Sequence, residues 1–127
     1  MWIFTNEGMI SVVQHRDQAD KFMIRARRSE HLEAIFPNEQ IYRTDAADYR
    51  FRVIVDRGTA VAVVANKMFE IRYDNFKNSI RDAEYHDACS SVWGVMLRMQ
   101  STPGSTPVSR KEFDDFIDGD YLNRRQV

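Results

Sequence analysis

Tyr85, His86, Asp87 and Cys89 place an imidazole, a carboxylate and a thiol in one short stretch, the raw material for a nucleophile with its base. Their spacing argues against joint action. Neighbouring positions on a helix point about 100° apart, so His86 and Asp87 face away from Cys89, which shares an apolar stripe with Tyr85 and Trp93. Cys89 therefore reads as a small core residue, and no catalytic residue is expected. His15 lies near Asp17, and His31 lies between Glu30 and Glu33. A metal needs three or four converging ligands, which this spacing does not supply, so both histidines read as solvated and no metal is expected. The five glycines are nowhere grouped as a phosphate-cradling loop requires, and no cofactor is expected.

A second kind of chemistry is cationic. From Phe22 to Arg27 the chain alternates, with Phe22, Ile24 and Ala26 on one side and Met23, Arg25 and Arg27 on the other. Tyr49 to Val55 alternates in the same way, setting Tyr49, Phe51, Val53 and Val55 against Arg50 and Arg52. Period two marks strands, and two such strands in one sheet would gather Arg25, Arg27, Arg50 and Arg52 on one face, with Tyr42 beside them. Guanidinium groups grip phosphates and aromatic rings stack on bases, so this face is the candidate nucleic-acid-binding surface. Against it stands the ordinary reading of a solvated strand face whose charges pair across strands.

The elements that must position these residues follow from the same patterns. Trp2 to Phe4 and Met9 to Val13 flank Asn6, Glu7 and Gly8, which predicts a hairpin. Ser29 is placed to cap a short helix carrying Leu32, Ile35 and Phe36, and Pro37 stops it. Gln40 to Thr44 and Tyr49 to Val55 form two strands around the turn Asp45-Ala46-Ala47-Asp48. Between Thr59 and Ile71 the residues Val61, Val64, Met68 and Ile71 make one helical stripe, widened by Val63 and Phe69. A longer helix runs from about Asp82 to Gln100, with Tyr85, Cys89, Val92, Trp93 and Met96 at helical spacing. The order contains a β-α-β-β-α core and predicts an α+β fold, a ferredoxin-like antiparallel sheet with an N-terminal β-hairpin extension and helices on one face.

Two aromatic pairs suggest a protein-binding role. Tyr73 and Phe76 sit in Tyr73-Asp74-Asn75-Phe76-Lys77 between two helices, either packed there or exposed as an anchor. Phe113 and Phe116 lie among acidic residues after Ser101 to Pro107, a segment rich in Pro, Gly, Ser and Thr. The expected organisation is a domain over residues 1–100 followed by a linker and amphipathic tail over 101–127.

The chain of 127 residues has room for one core, and its 12% aromatic content belongs to a folded globule. Eighteen basic residues against nineteen acidic give a net charge of -1, so any pull on a polyanion must be local. One cysteine without a disulfide partner fits a reducing, cytoplasmic setting, and no apolar run approaches a membrane span.

The opening Met1-Trp2-Ile3-Phe4-Thr5 with Gly8 and Ser11-Val12-Val13, the segment Asp48-Tyr49-Arg50-Phe51-Arg52, and Tyr73-Asp74-Asn75-Phe76-Lys77 resemble a family of small uncharacterised bacterial and phage proteins. The resemblance runs from Met1 to about Gln100 and brings no established activity. For a phage-encoded member it implies an accessory role, such as blocking a host defence complex.

The leading expectation is a non-enzymatic module that binds another protein. The alternatives are nucleic-acid binding through the arginine face and a small hydrolase or nuclease using His15, Asp17 or His86. The tail's Phe113, Phe116 and Ile117 offer a route to self-association.

Overall fold

The computed structural model describes residues 1–100. The linker and tail, with Phe113 and Phe116, lie outside the described residues. The chain divides into two units after Cys89, and the sheet with its first three helices belongs wholly to the first.

Five strands and four helices follow in order. Strands β1 (Trp2–Thr5), β2 (Gly8–Gln14) and β3 (Lys21–Ala26) come first, then helix α1 (Ser29–Ile35) and strands β4 (Tyr42–Arg43) and β5 (Phe51–Asp56). Helices α2 (Arg57–Phe69), α3 (Phe76–Ser79) and α4 (Ala83–Gln100) complete the described chain. The fold is mixed α+β, and its sheet is open, with order β1-β2-β3-β5-β4 and every neighbour antiparallel.

Alternation along the strands decides what lies on each face. Val12, Ile24 and Val53 stand opposite one another across three strands, as do Ser11, Arg25 and Arg52 one residue along. The first row is buried with Ile10, Ala26 and Val55 beneath Leu32 and Ile35 of α1, Phe36 at its C-cap and Ala60 of α2. Burying these side chains is the main favourable term for the fold, about 1.5–3 kcal/mol for each large aliphatic residue.

Helices were expected on one face only, but the other face is covered in part. Phe4 and Met9, paired across the hairpin, point away from the main core and pack with Phe76 against Ile80, Tyr85 and Cys89. Period two had to send alternate apolar residues of β1 and β2 to opposite sides, so each side needed a cover.

Part of the expected hydrophobic stripe of α2 turns outward. Val61 is 62% exposed, Met68 69% and Phe69 79%, whereas Ala60 and Val63 meet the core. The helix starts directly after β5, and that tight junction sets its rotation. Arg57 locks the junction by donating from Nε to the Ala19 carbonyl at 2.6 Å and from Nη2 to Gln14 Oε1 at 3.0 Å, with its guanidinium 4.4 Å from the Phe22 ring centre.

Other boundaries shift for local reasons. Arg28 stands at the N-cap of α1 with no side-chain capping bond, so Ser29 is the first helical residue and not the cap. Strand β4 shrinks to two residues at the sheet edge. In α3 the Asn75 side chain accepts from the Asn78 N–H at 3.1 Å and so caps the helix.

Candidate nucleic-acid interface

The far end of the sheet, away from the hairpin turn, gathers the arginines. Arg25 pairs with Arg52 across β3 and β5, and Arg52 pairs with Tyr42 across β5 and β4, so Ser11, Arg25, Arg52 and Tyr42 form one row on one face. Arg27 follows the end of β3 and joins this side of the sheet through the Tyr49 ring, whereas Arg50 precedes β5, where strand alternation does not assign its side chain to a face. Arg27, Arg50 and Tyr42 are exposed, and Arg25 and Arg52 are half-buried.

Tyr49 organises this cluster, though not as its spacing predicted. It was expected under the helices with Phe51, Val53 and Val55. Strand β5 begins only at Phe51, so period two does not extend back to Tyr49, and its ring lies on the arginine side. The Arg25 guanidinium carbon sits 4.7 Å and that of Arg27 4.3 Å from the Tyr49 ring centre. These are cation–π distances, and the two guanidiniums leave the ring only 4% exposed. Arg52 Nε donates to the Tyr49 carbonyl at 3.4 Å, and Arg25 Nη2 to the buried Ser11 hydroxyl at 2.8 Å. The buried Nε–H of Arg25 meets no acceptor.

All of these partners are uncharged. None of Arg25, Arg27, Arg50 and Arg52 forms a salt bridge among the described residues. Asp48 accepts from the Tyr49 N–H at 2.8 Å, and Asp45 pairs with Arg43. Asp82 and Glu84 both pair with Arg28, and the Glu84 hydrogen bond holds the Arg28 proton more tightly than usual. The surface so formed has fixed positive charge, spare N–H donors and an exposed ring at Tyr42, the groups that phosphates and bases engage.

The other candidate residues have structural positions. His31 is half-buried, not solvated: its Nδ1 accepts from the Met9 N–H at 3.3 Å and its ring lies 4.8 Å from that of Tyr85. Since Met9 donates to Nδ1, the neutral ring carries its proton on Nε2. Burial, aided by the Arg28 charge, lowers the His31 pKa from its ordinary 6.5. His15 caps a turn, with Nδ1 accepting from the Asp17 and Gln18 N–H groups, both at 3.2 Å.

Tyr85 donates its hydroxyl to the Thr5 carbonyl at 2.8 Å, and burial raises its pKa far above the phenol range. Burial likewise raises the Cys89 pKa, which disfavours the thiolate that nucleophilic chemistry requires. His86 Nδ1 and Asp87 Oδ1 lie 3.5 Å apart on the exposed side of α4. No group of three His, Cys, Asp or Glu side chains converges as a metal site among the described residues.

Tyr73 and Phe76 are half-buried, with ring centres 6.1 Å apart, and Phe76 packs against the Tyr85 cluster. What sequence reasoning missed is the apolar cleft between α2 and the sheet. It encloses ≈ 260 Å³ and is lined by Met1, Phe22, Val61 and Met68 among others, with almost no polar surface. A second cleft beside it runs to Ile71 and Tyr73 and is edged by Lys67, whose Nζ holds Glu7 at 2.7 Å and Glu70 at 3.1 Å. No described helix is long and apolar enough to cross a membrane.

Compared with protein-family models, with curated proteins and with solved structures, the chain matches none.

Proposed function

We propose that this protein is a non-enzymatic binding module that takes a nucleic acid on its arginine face. One observation carries the reading: two guanidiniums share the Tyr49 ring and a third is tied to the Tyr49 carbonyl, with no carboxylate among the described residues paired to any of them. Holding like charges together without counter-charge is unfavourable, and a phosphate backbone relieves it while accepting their remaining N–H bonds. Surface charges of structural origin have no need of such an arrangement. A ferredoxin-like layer is the finer fold proposed with it, supported by the β3-β5-β4 order with α1 between β3 and β4 and α2 after β5.

Fluorescence anisotropy with labelled oligonucleotides tests the reading. Affinity should fall steeply as salt rises from about 50 to 200 mM and should drop again when Arg50 and Arg52 are both replaced by alanine. Salt-insensitive binding, or an unchanged affinity in that double variant, would count against it.

A second reading, binding of a protein partner, rests on α2. Its exposed Val61, Met68 and Phe69 border an apolar cleft, and contiguous apolar surface of this kind commonly marks an interaction site. A partner recovered with the native protein should be lost from a Val61→Arg, Met68→Glu variant that keeps its oligonucleotide affinity.

A further inference from the structure

We infer that the arginine face takes single-stranded rather than duplex nucleic acid, with Tyr42 as the platform for one unstacked base. The inference rests on the nucleic-acid reading of this face and adds the form of the polymer and the role of one residue.

The two tyrosines of the cluster differ in the way this requires. The Tyr49 ring is spent, covered by Arg25 and Arg27 and almost wholly buried. Tyr42 is 49% exposed, carries no guanidinium of the described residues on its ring, and stands opposite Arg52 on the two-residue edge strand β4. An exposed ring next to a fixed guanidinium matches the alternation of base and phosphate along a single strand, where every base has a free face to stack. In a duplex the bases are stacked on one another and the ring would meet only backbone.

The size of the patch agrees. Neighbouring strands lie about 4.8 Å apart and alternate residues about 6.7 Å apart, so the row from Arg25 to Tyr42, with Arg27 beyond it, covers on the order of 10 by 7 Å. That holds two or three nucleotides of a single strand. It is narrower than the roughly 12 Å major groove of a duplex, and no described helix lies in the row to enter one.

Three labelled probes of equal length, about 12 nucleotides, decide the matter by anisotropy: oligothymidylate, oligouridylate and a mixed-sequence DNA duplex. The wild-type protein should bind at least one single strand more tightly than the duplex, with log affinity falling against log salt at a slope of about −1.4 to −2.1 for two or three phosphate contacts. Tyr42→Ala should weaken single-strand binding at least about fivefold at unchanged salt slope, and Tyr42→Phe, which keeps the ring, should retain it. Duplex binding at least as tight as both single strands, or a Tyr42→Ala variant equal to wild type, overturns the inference and leaves the nucleic-acid reading in place. Absence of salt-sensitive binding to all three probes defeats that reading and the inference with it.

Discussion

Two polar regions of this molecule are built on opposite principles. Around the hairpin turn, the Thr5 hydroxyl accepts from the Glu7 and Gly8 N–H groups, the Thr5 carbonyl accepts from Tyr85, and His31 accepts from Met9. Each of these groups has a partner. At the far end of the sheet, Arg25, Arg27 and Arg52 have only neutral partners among the described residues, and their charge is left over. The contrast separates polar groups that hold a fold together from polar groups free to hold something else: the first kind is internally satisfied, the second is not.

Substitutions at the hairpin turn should therefore be felt in stability. The largest effect is expected at Gly8, where an added Cβ would lie 2.6 Å from His31 Cβ and Cγ. Gly8→Val should destabilise by about 3 kcal/mol, as overpacking a tight contact does, read from the urea midpoint. Tyr85→Phe leaves the Thr5 carbonyl without its donor and should lose about 1–2 kcal/mol by the same measurement.

Acid should act on this region too. His31 has a folded-state pKa below its unfolded value of 6.5, so its neutral form is the one the fold favours. Its contribution is complete above that unfolded value and declines as pH falls below it, because the unfolded chain then takes up the proton more readily. The prediction is a stability that drops on acidification from pH 7 toward the folded-state pKa, with a smaller drop in His31→Gln.

At the arginine end the smallest stability effect is expected. Arg50→Ala should change stability by no more than about 0.5 kcal/mol, since the side chain is exposed and pairs with no carboxylate among the described residues. A loss of several kcal/mol in that variant would erase the distinction between the two regions and return the arginine to a structural role.

The sequence revealed elements better than their surroundings. Strands β3 and β5 were legible because period two is a local property, and the arginine row followed once those strands were placed in one sheet. Tyr49 was misplaced because the same parity was carried past the end of the strand, into a segment where alternation has no meaning. The α2 stripe was legible as a helix but not as an exposed face, since its rotation is fixed by the β5 junction and the Arg57 contacts with Gln14 and Ala19, all distant in sequence. His31 was read as solvated because its partner, Met9, lies 22 residues away. One local signal was there to be used: a glycine within a strand often marks the close approach of another segment, and Gly8 marks that of His31.

The bond from Tyr85 to Thr5 also bears on the order in which the molecule assembles. It joins residues 80 positions apart, whereas the β1–β2 hairpin closes over the two residues Asn6 and Glu7. Closing a loop of 80 residues rather than about 5 costs roughly 2.4 kcal/mol more in chain entropy, at about 0.6 kcal/mol for each doubling. The hairpin can therefore form early on its own, and the Tyr85 contact is a late event that needs the rest of the sheet in place. Interactions formed late slow unfolding more than they speed folding. The small cluster of Phe4, Met9, Tyr85 and Cys89 thus acts as a latch, setting how long the folded molecule survives before it opens.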